Sequence, residues 1–366
     1  MVHQIDPKSF INSIEDLKKY IKLNPREEKT LKEIEKIHPI RITKYYMSLI
    51  NPKDSKDPLR QMVVPNVDEF DLSGSYDVSG EAENTKTTGL QHKYPETALI
   101  LATNRCAAYC RHCFRKRFIG LPSNEILSRF DLAINYIKKH KEIDNVLITG
   151  GDPLVLKTEI IKNFLNKLTP IGHLKYIRFG SRVPVVLPRR IYEDKKLLHF
   201  LHDYSKNVRQ IYIVTHFNHP REITKESKRA IQCLKEAGII INNQTVLLRG
   251  VNDASETLAK LMKNLVSIGV NPYYVFQCRP VKRVKKHFQV PLQKGLRIVE
   301  EAKKHLDGHS KRFKYCMSHK TGKVEILGIL NKYIYFKYNE AKNLNNKGKF
   351  FRTKLKKNAC WLDELT

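Results

Sequence analysis

Apolar residues follow two rhythms along this chain. Near the N-terminus, Phe10, Ile14, Leu17 and Ile21 recur at helical spacing, and SIEDLKKYIKL, REEKTLKEIEKI and RITKYYMSLI each carry an apolar stripe. Residues 1–70 are therefore expected to form a charged, helical N-terminal region. From Asp71 to Leu90 (DLSGSYDVSGEAENTKTTGL) the periodicity lapses into Gly, Ser, Thr and Asn, so 71–90 reads as a loop or linker. From Glu96 to about Leu306, short β-rich runs alternate with amphipathic stretches. The strand candidates are TALILAT, NVLITGG, YIRFGSR, QIYIVTH, IIINNQTVLL and PYYVFQC; the helix candidates include SNEILSRFDLAINYIKKH, REITKESKRAIQCLKEAG and DASETLAKLMKNLVSIG. Near-continuous apolar strands between helices predict an α/β fold with a helix-covered parallel sheet. The six β/α units counted here fall short of the eight of a closed barrel. A partial, open (β/α)6 barrel over 91–310 is expected, with functional residues at the strand C-termini GGDP, GSR, THFNH and QCR. The extension 311–366 adds two strand-like runs, KVEILGI and KYIYFKY, and a basic segment, NNKGKFFRTKLKK, read as a solvated terminus. No internal repeat of solenoid period is visible.

Composition removes several classes. With 41% hydrophobic and 28% charged residues among 366, the chain is neither disordered, collagenous nor membrane-embedded. The opening MVHQIDPKSFINSIEDLKKYI has no uninterrupted apolar core of the signal-peptide kind, and no apolar run could span a bilayer. A cytoplasmic protein with seven reduced cysteines is expected. Lys+Arg of 67 against Asp+Glu of 37 gives a formal net charge of +30, which raises nucleic acid, anionic surfaces or anionic cofactors as partners. The lysines are scattered over helices, and no RRM, KH or C2H2 signature accompanies them, which argues against nucleic acid.

The sharpest local feature is NRCAAYCRHCFRKRF, directly after TALILAT, where Cys106, Cys110 and Cys113 stand at C-x3-C-x2-C. Three neighbouring thiolates can hold three irons of a [4Fe–4S] cluster and leave the fourth iron open. Zinc with His112 as fourth ligand is the competing reading, although the spacing is poor for a zinc knuckle. Cys233 lies on an amphipathic helix and reads as core; Cys278 and Cys316 lie near strand ends and are candidates for lining a site.

The cysteine spacing and ITGGDPL one β/α unit later resemble the radical S-adenosylmethionine (SAM) enzymes. That resemblance implies SAM bound to the open iron, with Gly150, Gly151 and Asp152 holding its methionine amino group. A narrower resemblance runs from about Asp57 to Gly322: GLQHKYPETALILATNRCAAYCRHCFRKRFIG, GSRVPVVLPRRI, THFNHPREIT and NQTVLLRGVNDASETLAKLM…PYYVFQC are similar to the lysine 2,3-aminomutase family. It implies a radical SAM barrel, a [4Fe–4S] cluster on Cys106, Cys110 and Cys113, SAM, and pyridoxal 5'-phosphate (PLP). It implies that Arg115 binds the substrate carboxylate, that Lys93 binds the PLP phosphate, and that His216, with His219 and Asn218, and Gln277 and Ser181 are strand-end residues near the cofactors. The implied partners are a small amino acid and a reductant such as flavodoxin or ferredoxin; a homo-oligomer is compatible with it.

Four departures from the family pattern stand out. Thr97 takes the place of a second phosphate-binding arginine. Arg279, in QCR, stands where lysine-specific members have a carboxylate, and near Ser318 a second carboxylate is also missing. A buried arginine would repel the distal ammonium of lysine, so an acidic substrate such as glutamate fits better. The PLP lysine is expected after a Gly-rich run; here Lys323, in YCMSHKTGKVEI, is the best match and Lys320 the second. In the tail, only Cys360 remains of a zinc-binding cysteine group. The leading reading is a PLP-assisted 2,3-aminomutase with Lys323 and Arg115 as catalytic residues. A second reading keeps the radical without PLP and modifies a protein or peptide side chain. A third is a basic iron–sulfur protein that binds or modifies nucleic acid, which a salt-titrated binding assay separates.

Overall fold

The computed structural model describes residues 6–365. In the N-terminal region, β1 (Phe10–Ile11) pairs antiparallel with β2 (Ile42–Thr43), among helices Ile14–Leu17, Pro25–Ile37, Lys44–Met47 and Pro58–Val63. The longest of these starts where Asn24 accepts a hydrogen bond from the Glu27 amide and Pro25 opens the first turn; it buries Leu31 and Ile34.

All further strands join one sheet: β3 (Thr85–Thr87), β4 (Leu90–Tyr94), β5 (Thr97–Thr103), β6 (Asn145–Gly150), β7 (Tyr176–Gly180), β8 (Ile211–Thr215), β9 (Ile240–Leu247), β10 (Asn271–Gln277), β11 (Lys314–His319), β12 (Gly322–Leu330), β13 (Tyr333–Ala341) and β14 (Phe350–Lys354). The strands lie side by side in chain order, and β5 through β11 run parallel. The six expected strands are β5 to β10; β11 adds a seventh to the parallel set. The antiparallel strands β3–β4 and β12–β14 flank it, and β3 and β14 do not pair, so the barrel is open.

The two faces of the parallel sheet differ. Val146, Ile148, Ile177, Phe179, Ile211 and Ile213 are fully buried beneath helices such as Phe130–Lys139, Thr158–Leu168 and Lys195–Asn207. Their alternates, among them Thr97, Thr149, Arg178, Tyr212 and Asn242, stay half-exposed. The strands therefore alternate instead of being apolar on both faces, because the inner face lines a polar lumen. The segment 71–90, expected as loop or linker, is folded over this lumen. The Asp77 carboxylate accepts from the Glu81 and Ala82 amides (2.7 and 3.0 Å) and starts helix Glu81–Asn84, and Ser75 donates to the Pro280 carbonyl (3.0 Å). The basic tail is likewise ordered. Phe350–Lys354 forms the sheet edge, and the chain returns to bury Trp361 and seat the Ala359 carbonyl on the Leu292 amide (2.8 Å). No helix among the described residues is long and apolar enough to cross a membrane.

Candidate active site

The cysteine loop leaves the C-terminal end of β5 and is stitched to three neighbours. The Gly151 amide donates to the Thr103 carbonyl (2.5 Å) and the Asp152 amide to the Arg105 carbonyl (2.8 Å); the Arg111 amide donates to the Met62 carbonyl (2.8 Å). Gly150 has φ +116°, and a Cβ on it would lie 2.5 Å from the Thr103 carbonyl oxygen; a Cβ on Gly151 would lie 2.2 Å from that of Arg105. The bare glycines thus let β6 touch the cysteine loop. The Asp152 carboxylate accepts from the Ser181 hydroxyl (2.6 Å) and from the amides of Leu154, Arg182 and Val183 (3.1, 2.7 and 3.1 Å). These bonds fasten β6 to the end of β7.

Cys106, Cys110 and Cys113 are half-buried, and burial pushes the Cys106 and Cys113 thiols up. Arg182 Nη1 donates to Cys110 Sγ (2.7 Å). Arg182 is itself held by Glu222 (2.5 Å) and the Tyr46 hydroxyl (3.2 Å), with Tyr46 donating to Glu222 (2.7 Å). Among the described residues the three sulfurs are not gathered within 4.8 Å of one another. A tetrahedral zinc with Zn–S bonds of about 2.3 Å would draw them to roughly 3.8 Å. His112 makes its contact with Asn218 (3.3 Å) and stands edge-on to His216. The donor set fits a larger iron–sulfur cluster. The neighbouring His216 has a buried Nε2 without a partner, and burial, with Arg182 nearby, lowers its pKa to about 3, so it stays neutral.

Arg115 is buried beside this loop. Its Nε and Nη2 donate to Glu81 Oε1 (3.0 and 2.8 Å), and Nη1 donates to Thr149 Oγ1 and the Gly150 carbonyl (both 3.2 Å). Glu81 also pairs with Arg117 (2.6 Å). Burial pushes the Glu81 carboxyl up, but Arg115 and Arg117 outweigh it and hold the group at about 2. Arg279 is half-buried, with its Cζ 3.8 Å from the centre of the Phe114 ring and its buried Nη1 unpartnered. Burial lowers it to about 10, and the charges of Glu81 and Arg115 reach it. Arg279 thus stacks on the ring that Arg115 also contacts, beside the cysteine loop.

A second group lies deeper. Lys323, on β12, sits 4.4 Å over the Tyr274 ring. Burial lowers its ammonium to about 8, with Cys316 and Glu340 opposing and Arg178 and Lys314 adding to the effect. Lys93 donates to the carbonyls of Ser79 and His319 (3.1 and 2.7 Å), and burial with Arg279 and Lys342 nearby lowers it to about 7. Arg178 Nη2 contacts Asn145 Oδ1 (2.5 Å) and Thr97 Oγ1 (3.4 Å). A lysine that loses its proton readily, with cations close by, fits PLP. Ser318 faces Lys323 across the β11–β12 ladder and brings no charge; Lys320 is exposed on the turn. Gln277 is not brought into the lumen. It donates to the carbonyls of Val290 and Cys360 (2.6 and 3.0 Å) and accepts from the Tyr315 hydroxyl (2.5 Å), so its polar atoms anchor the returning tail. Glu81, Arg178, Arg182 and Glu222 were not singled out from sequence. The signals were an acid within a glycine-bearing loop, an arginine within an apolar strand run, and the polar strand ends.

A thiol loop of this geometry at the mouth of an open α/β barrel defines a radical SAM enzyme, and the signature of the Radical SAM superfamily matches residues 100–262. A protein described as putative L-lysine 2,3-aminomutase from Aquifex aeolicus (strain VF5) is 41% identical over 352 residues, covering 95% of this chain and 93% of its own length. The L-lysine 2,3-aminomutase of Clostridium subterminale is 40% identical, covering 82% and 71%. The glutamate 2,3-aminomutase of Clostridioides difficile (strain 630) is 37% identical, covering 81% and 69%. The chain belongs to the lysine 2,3-aminomutase family, whose members are isomerases that use a [4Fe–4S] cluster, SAM and PLP.

Proposed function

We propose that this enzyme exchanges the amino group between C2 and C3 of an amino acid with an anionic side chain, glutamate before lysine. The observation that carries the reading is Arg279, whose buried Nη1 lacks a partner and whose guanidinium stacks on Phe114 beside the cysteine loop. A carboxylate satisfies that donor and gains a charge-assisted bond, whereas an ammonium meets like charge. When bound, the cluster and SAM supply a carbon radical that takes and returns a hydrogen, and PLP carries the migrating amino group. Cys106, Cys110 and Cys113 hold the cluster. The Gly150–Asp152 turn, with His216 close to the loop, borders the SAM position. Lys323 is the PLP lysine and Lys93 a phosphate contact. Arg115 takes the substrate α-carboxylate, with Glu81 fixing the plane of its guanidinium. A reducing partner such as flavodoxin or ferredoxin and a cytoplasmic setting complete the reading.

The test is product analysis after anaerobic reconstitution with iron, sulfide, SAM and PLP. The β-amino isomer of L-glutamate is expected at a higher kcat/KM than that of L-lysine. Arg279→Asp is expected to lower kcat/KM for glutamate by about 100-fold. Equal or better conversion of lysine by the wild type overturns the acidic substrate. An intact cluster that cleaves SAM while borohydride leaves no pyridoxyl group on Lys323 or Lys320 overturns the aminomutase mechanism and favours the PLP-free reading.

A further inference from the structure

We infer that Arg178 is a phosphate-binding cation for PLP in this chain, supplying from β7 the charge that Thr97 lacks on β5. The inference rests on the PLP reading above. Thr97 pairs with Asn145 across β5 and β6, and Asn145 with Tyr176 across β6 and β7. Arg178 follows two residues after Tyr176, on the same face. Its guanidinium lies 5.9 Å from the Tyr176 ring centre and reaches Asn145 Oδ1 (2.5 Å) and Thr97 Oγ1 (3.4 Å). The side chain thus crosses two strands and brings a positive charge to the hydroxyl of Thr97.

Three observations make this an anion site and not only a brace. No carboxylate pairs with Arg178 among the described residues, although Arg111, Arg115, Arg182 and Arg190 each have one. Its Nε is buried and donates to nothing. A buried charged donor left open is costly, and an anion repays that cost. Arg178 is also close enough for its charge to act on Lys323, the PLP lysine of the proposed reading. A phosphate monoester carries nearly two charges at neutral pH. Lys93, already donating to two carbonyls, balances at most one of them.

The test compares PLP with pyridoxal, which keeps the aldehyde and lacks the phosphate. The reconstituted full-length protein is titrated with each, and binding is read from the ligand's visible absorbance without turnover. Arg178→Gln is expected to weaken PLP about 10- to 100-fold and to leave pyridoxal within about twofold. Adding Thr97→Arg to Arg178→Gln is expected to restore most of the PLP affinity. A wild-type preference for PLP over pyridoxal that persists in Arg178→Gln overturns the inference, and equal weakening of both ligands reduces Arg178 to a brace. A wild type that takes up neither ligand overturns the PLP reading and the inference with it. Should Arg178→Gln fail to fold, Arg178→Lys gives the same ratio. The loss of the planar fork is expected to cost PLP about tenfold, and an unchanged ratio overturns the inference there too.

Discussion

Lys323 and Gly151 show how a single residue's surroundings set what it can do. The Lys323 ammonium, lowered by burial to about 8 from an ordinary 10.5, becomes a free amine as pH rises through that value. The rate of PLP capture is therefore expected to climb with pH and level off above about 8, measured by stopped-flow absorbance. Arg178→Gln removes a neighbouring positive charge, so the inflection is expected to move to higher pH. Gly151→Ala would drive a methyl group into the Arg105 carbonyl, 2.2 Å away. Overpacking of this kind costs about 1–3 kcal/mol. The expected outcome is a folded protein with reduced iron and sulfide content per chain, measured by elemental analysis and circular dichroism. The three cysteines were legible because their chemistry lies within eight consecutive residues, Cys106 to Cys113. Glu81 and Arg178 were not, because their meaning comes from Arg115 and Thr97, which only the folded chain brings beside them.

Among the elements, β5 to β10 were readable from their apolar runs, and the helices between them from their stripes. β11 escaped because KYCMSH mixes polar and apolar residues and owes its place to pairing with β10 and β12. The stretch Asp71–Leu90 escaped for a related reason: its order comes from Asp77 capping helix Glu81–Asn84 and from Ser75 bonding to Pro280, neither of which leaves a periodic trace. Glu81→Ala would leave Arg115 buried without its anion, and breaking such a pair costs about 3–5 kcal/mol. A matching fall in unfolding free energy is expected, with faster proteolysis within 71–90 as a local readout. Trp361 is fully buried where the tail returns beside Gln277. Trp361→Ala is expected to cost about 3–5 kcal/mol, measured by denaturant unfolding.

For the molecule as a whole, buried carboxylates join the N-terminal region to the barrel. Glu69 pairs with Arg111 (2.5 Å) and Lys116 (2.7 Å), and these cations outweigh burial to hold it at about 2; Glu81 is held at the same level by Arg115 and Arg117. Both stand below the ordinary 4.5, so their stabilisation is fully present above that value and is lost as pH falls through about 2. The urea midpoint is expected to fall between pH 5 and pH 3, and by less in Glu69→Gln than in the wild type when each is measured against its own value at pH 5. The network around Cys110 also sets an order of events. The sulfur meets Arg182, which is fixed by Glu222 and by Tyr46 from the opposite end of the sequence. A ribosome that has released the three cysteines has not yet made the arginine and the glutamate that frame them. The setting of Cys110 seen in the folded chain is therefore complete only once Glu222 has been made.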